Sequence, residues 1–409
     1  MWELIQSNKR KSVVLFVALG IILTMICFAF GRYYIPEADA FVFVIFGIVI
    51  WLMMSGVAYF TGDDIILAVS EATPISKDVD PRLYDVVEEM KIAAALPAIP
   101  KIYVMNEEAP NAMAVGRDPQ NSAIVVTSGL LAKLNRDELQ GVIAHEISHI
   151  LNRDSLFMTF AGTTVGLIVI LSQLFWRGLA FSGGSGGRYR GGSSRRGGGG
   201  AALLFAVIIG IVGAMLARIM YFAISRKREY LADASAARLT RYPEGLASAL
   251  EKIANSTEQL HSFNQVTEPM FISAPTTGNR FSLFGMGSTH PPILERIKIL
   301  RKLAHGAGYS EYQKAFSSVE GAGSRLIPRT ALAGDTPVGI RTASDSAKAA
   351  ATDKRTTKRA LGDLMMTIGG YQFLNCACGL TMKLPPDLNM NPIVCPRCGQ
   401  EYTRPQVIT

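Results

Sequence analysis

Gly141-Val142-Ile143-Ala144-His145-Glu146-Ile147-Ser148-His149-Ile150 is the stretch from which the rest of this chain can be read. In a helix, His145 and His149 stand four residues apart on one face, so two imidazoles can reach one metal ion with Glu146 beside them. A bare H-E-x-x-H also arises by chance, so its surroundings decide. Asn135 and Glu138 have the spacing of a capping box, and Leu139, Val142, Ile143, Ile147 and Ile150 form an apolar stripe at helical spacing. Neither Pro nor Gly separates the two histidines, so the turn between them is unbroken. A catalytic zinc takes three protein groups and keeps one position for water. One ligand remains to be found.

The chain has 409 residues, of which 49% are apolar, and such a balance implies a membrane. Four uncharged runs stand out: Val13 to Phe30, Phe41 to Phe60, Leu156 to Phe175, and Ala201 to Leu216, the last continuing past Arg218 to Ile224. Each is near the roughly 20 residues that cross hydrocarbon as a helix. The first lacks a small-residue cleavage site and a second run follows closely, so it reads as an uncleaved anchor. Lys9, Arg10 and Lys11 precede it, whereas the connection between the first two runs holds Arg32 against Glu37 and Asp39. The positive-inside rule then places the N-terminus, and the segment from Thr61 to about Ser155, in the cytoplasm.

The formal charge of +8 is concentrated in two places. Residues 182–200 carry Arg188, Arg190, Arg195 and Arg196 with no acid, and residues 341–360 carry six bases against Asp345 and Asp353. Neither resembles a nucleic-acid-binding fold, so solvated or lipid-facing linkers are expected and nucleic acid is not. Ten of the nineteen residues in 182–200 are glycine, and no packed structure is assigned to them. If the third and fourth runs span fully, this basic loop lies outside, against the positive-inside tendency; a shallow hairpin is the alternative, and both stay open.

Asp80-Pro81 makes an N-cap and first-turn pair for a helix whose apolar face is Leu83, Val86, Val87 and Met90 and which runs towards Leu96. Lys101 to Met105 and Ala123 to Thr127 read as strands. Between them, Pro110 to Gly116 reads as an edge segment. An edge offers unpaired backbone groups to an extended peptide, although an ordinary hairpin explains it equally well. Beyond the fourth run, Ser225 to Asp233 opens a helical stretch in which Glu229 and Asp233 share a face. Glu229 can complete the metal shell, and Asp233 can accept the second N–H of a ligand histidine. His290, held between Thr289 and Pro291-Pro292 before an amphipathic helix from Ile293 to Ala304, is either a loop histidine without a role or a donor to a developing oxyanion.

Cys27 lies alone in the first apolar run, a small hydrophobe. After a stretch from Gly321 to about Ala360 with little apolar periodicity come Cys376-Ala-Cys378-Gly and Cys395-Pro-Arg-Cys398-Gly. Two such pairs can close a tetrahedral site of four thiolates, a structural zinc. The short C-x-C loop and the cytoplasmic placement disfavour disulfides.

Taken together, His145, Glu146, His149, Glu229 and Asp233 resemble the HtpX-type membrane zinc metalloproteases, gluzincins related to the CAAX prenyl endopeptidases. The resemblance covers about residues 1–303 and includes Pro110-Asn111-Ala112-Met113-Ala114, Thr127-Ser128-Gly129-Leu130-Leu131, Asp137-Glu138-Leu139, Ser225-Arg226 and Thr289-His290-Pro291 in the family's order. It implies that His145, His149 and Glu229 bind zinc, that Glu146 is the general base, that Asp233 orients a ligand histidine, and that Asn111 and Ala112 hydrogen-bond substrate backbone. For His290 the match is positional. It also implies a multi-pass bacterial inner-membrane endopeptidase, its active site facing the cytoplasm, acting on protein substrates in quality control and stress. The Gly/Arg loop and the four-cysteine ribbon depart from that pattern; the ribbon reads as an added docking or substrate-sampling module for a protein partner.

The expected fold is mainly α with a small β-sheet, an integral membrane gluzincin with about four transmembrane helices and a small zinc ribbon. Residues 1–61 hold two transmembrane helices, 62–155 the first half of the catalytic domain, 156–224 two further membrane segments, and 225–310 the second half. Residues 311–370 are expected as a flexible linker and 371–409 as the ribbon. Two competing readings are a site-two-type intramembrane metalloprotease, which would place H-E-x-x-H inside a span, and a non-catalytic membrane adaptor, which would need no base at Glu146.

Overall fold

Asp39 starts the first long helix by accepting the Phe41 N–H at 3.0 Å. The computed structural model describes residues 37–159, 226–258, 260, 270–272, 290–303, 306–343, 354–388 and 392–402, with scattered positions between 6 and 28. Helix α1, Ala40–Val69, has 30 residues and is therefore about 45 Å long, more than the ~30 Å of a hydrocarbon core. Among the described residues it is the one helix long and apolar enough to cross a membrane. Phe41, Phe46, Met53 and Phe60 along it are exposed, whereas Ile66 and Leu67 are buried under the sheet described next. The helix thus runs past the expected end of the span, through Asp63 and Asp64, and enters the folded domain unbroken. At Gly47 an added Cβ would lie 2.8 Å from the Thr24 backbone, so glycine allows the described part of the first apolar run to approach. The third run beyond Thr159, the fourth run and the Gly/Arg loop fall on residues 160–225, outside the described residues.

The sheet has the order β1-β2-β4-β3. Strands β1 (Thr73–Pro74), β2 (Lys101–Met105), β3 (Ala112–Gly116) and β4 (Ser122–Thr127) pair so that β2 and β4 are parallel while β1 and β3 run antiparallel to their neighbours. Side chains alternate across a sheet. Ile102, Val104, Ala112, Ala114, Ile124 and Val126 join the main core, and Met105, Met113, Val115, Ala123 and Val125 join a second cluster with Ile66, Leu67 and Phe157. The covered sheet explains why β3 and β4 are buried along their whole length.

Helix α2 (Pro81–Ala93) starts as expected, with Asp80 accepting the Leu83 N–H at 2.9 Å and Pro81 in the first turn. After the short α3 (Ser128–Lys133) comes α4, Arg136–Leu151, whose capping box is complete: Asn135 accepts from Glu138 N, and Glu138 accepts from Asn135 N. Helices α5 (Arg226–Thr240) and α6 (Pro243–Ala254) pack on α4. A Cβ on Gly141 would lie 2.6 Å from Leu246 N, and one on Gly245 2.6 Å from Asp137 O. Glycine at both crossing points lets the backbones touch. Helix α7 (Ile293–Arg301) closes the core, ending three residues before the expected Ala304.

The segment expected as a flexible linker, 311–370, differs in what is described of it. Helix α8 (Tyr309–Glu320) buries Tyr312 and Phe316 in the main core, and Leu326 and Ile327 follow, their N–H groups both taken by Gln313 Oε1 at 2.9 Å. After α9 (Arg329–Ala333), residues 335–343 lie across α5 and the start of α4. Asp335 binds Arg238 and accepts Ser310 N, Val338 O accepts Ala307 N at 2.8 Å, and Arg341 N donates to Arg241 O at 2.8 Å. Helix α10 (Lys354–Ile368) sets Leu364 and Ile368 against the core. Apolar periodicity is sparse here because polar contacts to residues far upstream hold the segment.

Two hairpins follow, β5 (Gln372–Asn375) with β6 (Thr381–Leu384) and β7 (Ile393–Val394) with β8 (Glu401–Tyr402). Gly379 and Gly399 take φ of +82° and +74°, the left-handed conformation in which glycine carries no Cβ penalty. Lys383 Nζ, on β6, meets Asp363 Oδ1 of α10 at 2.5 Å.

Candidate metal centre and active site

Helix α4 brings His145 and His149 to one face, and α5 brings Glu229 opposite them from beyond the apolar runs. His145 Nε2 and His149 Nε2 are 3.1 Å apart. Glu229 Oε2 lies 3.5 Å from the first and Oε1 3.5 Å from the second. A tetrahedral ion with bonds of about 2.0–2.1 Å needs ligand atoms roughly 3.3 Å apart. Among the described residues, His145, His149 and Glu229 form one of two groups whose ligand atoms converge in this way.

Glu146, on the next position of α4, is 1% exposed, and neither of its carboxylate oxygens has a protein partner. An orphaned buried carboxylate is costly unless a group from outside the chain satisfies it. Burial raises its pKa above the ordinary carboxylate value. The charge count agrees. Around the converging ligand atoms stand four buried carboxylates, Glu146, Asp154, Glu229 and Asp233, and two buried guanidiniums, Arg228 and Arg296. With neutral histidines, the deficit is the charge of one divalent cation. The residues present therefore fit a metal ion.

Behind each histidine stands a carboxylate backed by an arginine. Asp233 Oδ1 lies 2.9 Å from His145 Nδ1, and Arg296 forks onto Asp233 at 2.7 and 2.8 Å. Asp154 Oδ2 lies 3.3 Å from His149 Nδ1, and Arg228, stacked 4.3 Å over the Phe157 ring, comes within 3.6 Å of Asp154 Oδ1. Such partners fix the tautomer that leaves Nε2 free to bind. Burial raises the Asp233 carboxyl, but Arg296 outweighs it and holds the group below its usual value. Burial likewise raises Glu229, yet the His145 hydrogen bond and the charges of His149, His290 and Arg296 hold it well below the usual range.

Asp154, Arg228 and Arg296 are functional candidates that the sequence reading missed. Asp154 is five residues past His149, beyond the motif, and Arg228 lies among other charged residues in the helical stretch from Ser225 to Asp233, with nothing in its spacing to mark it. Arg296 did leave a signal: it lies within the stripe Ile293, Ile297, Leu300 of an amphipathic helix, where a charge calls for a buried partner.

His290 is buried, hydrogen-bonds the Phe271 backbone, and feels the charge of Glu229, but it is not among the converging ligands. Asn111 and Ala112 stand at the start of edge strand β3, and the edge is covered: Phe271 bridges Met113, and Ile272 N donates to Ala112 O at 2.9 Å. Ala112 N donates to the Asn111 side chain at 3.0 Å.

The second converging group is Cys376, Cys378, Cys395 and Cys398. Sγ separations of 3.3 Å (Cys376 to Cys398) and 3.8 Å (Cys378 to Cys395) are too long for a disulfide and come up to the ~3.8 Å of a tetrahedral thiolate site with bonds of about 2.3 Å. A hydrogen bond from the Tyr402 hydroxyl, at 3.2 Å, is the main cause that draws the Cys376 thiol down to about 6.

The profile of peptidase family M48 matches residues 77–304, which include both halves of the first site. A protease HtpX homolog of Dictyoglomus turgidum is 45% identical over 304 residues, 74% of this chain and 94% of the relative. One of Caldanaerobacter subterraneus is 42% identical over 303 residues, 74% of this chain and 98% of the relative. The crystal structure of S. mikatae Ste24p aligns at 20% identity with a TM-score of 0.38, over 73% of this chain and 67% of that one, a likeness too slight to carry an argument. With these relatives and an H-E-x-x-H helix outside any span, neither the adaptor nor the intramembrane reading is favoured: the chain belongs to peptidase family M48 and is a membrane metalloprotease.

Proposed function

We propose that His145, His149 and Glu229 hold a zinc ion and that the site hydrolyses peptide bonds of membrane or misfolded proteins at the cytoplasmic face of a bacterial inner membrane, in protein quality control. The observation that carries this reading is Glu146, a buried carboxylate with two unpartnered oxygens beside three converging ligand atoms. Bound zinc supplies a Lewis acid for the scissile carbonyl and an acidified water. Glu146 takes a proton from the attacking water and returns it to the leaving amine. Asp233 and Asp154 hold the histidine tautomers. His290, next to Glu229, is the candidate donor to the carbonyl oxygen as charge develops. Asn111 and Ala112 receive substrate backbone by strand addition once Ile272 yields Ala112 O.

Multi-pass topology with the active site in the cytoplasm is supported by the charges flanking the first run and by α1 entering the domain directly. The four cysteines hold a second, structural zinc in a module for docking or substrate sampling. The test is Glu146→Gln in detergent, with metal content and peptide cleavage measured on the same preparation. Metal content should be unchanged while cleavage falls by about 10²–10⁴-fold. Retained, chelator-sensitive turnover by the variant would refute the assignment.

A further inference from the structure

A buried arginine is stable only when its N–H groups are partnered, and Arg296 is 1% exposed. Nε and Nη2 donate to the two oxygens of Asp233, and Nη1 donates to Ile272 O at 2.9 Å. The same guanidinium passes 3.5 Å from Glu229 Oε2 and 3.4 Å from His145 Nε2. Arg296 on α7 therefore bears on side chains of both α4 and α5. Through Ile272, whose N–H covers Ala112 O, it also anchors the segment lying on the peptide edge.

Two consequences oppose each other. A positive charge this close to ligand atoms repels a cation. Against that, the planar fork fixes Asp233, and Asp233 fixes the His145 tautomer whose Nε2 lone pair faces His149 and Glu229. Lysine separates the two, because it keeps the charge and loses the fork.

We infer that Arg296 is a positioning residue of the metal centre, which orients His145 through Asp233 and holds Glu229 in register with it, so that geometry outweighs repulsion. This rests on the reading of His145, His149 and Glu229 as metal ligands. Full-length protein in detergent, stripped of metal, is titrated with Co²⁺. Thiolate-to-cobalt charge transfer marks the cysteine cluster, and d–d bands without it report the histidine site. In Arg296→Lys, cobalt affinity at the histidine site should fall about 10–100-fold and its d–d bands should shift, as for other partners that orient ligands. The cysteine-cluster absorption should stay unchanged. Asp233→Asn with Arg296→Gln removes the buried pair without leaving a lone charge, so it reads the same effect if the lysine variant does not fold. Its loss should be smaller than the sum of the losses in Asp233→Asn and Arg296→Gln measured singly. Wild-type affinity and bands in the lysine variant, or additive losses in the double variant, overturn the inference. Wild-type protein with no thiolate-free band overturns the ligand reading itself and the inference with it.

Discussion

Arg341→Ala should destabilise the catalytic domain, although residue 341 lies beyond the family match that ends at 304. Its Nη2 donates to Asp137 Oδ1 at 2.8 Å and Gln140 Oε1 at 2.6 Å, in the first turns of the H-E-x-x-H helix, and Nε donates to Thr240 O at 3.1 Å, at the end of the Glu229 helix. The guanidinium also stacks 4.8 Å from the Tyr242 ring centre. One side chain thus ties the ends of the two helices that carry the ligand set. The bond to Asp137, whose side chain is 2% exposed, is charge-assisted and contributes about 1.5–3 kcal/mol. The two neutral acceptors add about 0.5–1.5 kcal/mol each and the stacking about 0.5–1 kcal/mol. Arg341 is 29% exposed, and these contacts share one side chain, so solvent screening and non-additivity reduce the total to about 2–4 kcal/mol. For a domain of this size that is a fall in Tm of roughly 5–15 °C. Thermal unfolding of the metal-loaded protein in detergent measures it, with Arg341→Lys, which keeps the charge but not the fork, expected between wild type and alanine. An alanine variant within about 1 °C of wild type would show that residues 335–343 do not brace the two helices.

Two further outcomes can be checked. The Lys133 hydrogen bond, with one from Ser256, holds the Glu258 carboxyl at about 2, below its ordinary 4.5. A carboxyl depressed in the folded state stabilises fully above the ordinary value and loses that stabilisation as pH falls towards about 2. Glu258→Gln should therefore flatten the dependence of Tm on pH between about 4.5 and 2, and an unchanged slope counts against the pairing. Cys376→Ser should lower metal content by one ion per chain while leaving the Glu146-dependent cleavage of small peptides intact; unchanged metal content would argue against the four-thiolate site.

What could be read directly was local. His145 and His149 converge because residues i and i+4 share a helix face, and Asn135 with Glu138 marks where that helix begins. Asp80-Pro81 and the two C-x-C and C-x-x-C turns are similarly self-contained. Glu229 and Asp233 lie far along the chain, and their pairing with the histidines came from the residue types the chemistry needs, together with the family resemblance. Asp154, Arg228 and Arg296 were not found because each acts across a turn or between helices, where spacing in sequence carries no direction in space.

The sequence by itself determined the H-E-x-x-H helix, the long apolar helix α1, strands β2 and β4 and the cysteine turns, because periodicity, capping and turn chemistry act within a few residues. Tertiary structure alone decided that residues 335–343 brace the domain rather than link it, that Phe271 and Ile272 cover the β3 edge, and that two arginines back the ligand-orienting carboxylates. Those outcomes depend on charged side chains and backbone groups finding partners 63 to 204 residues away. A hydrogen bond across such a distance leaves no period in the sequence, and only the packed core, by excluding water, makes it strong enough to matter.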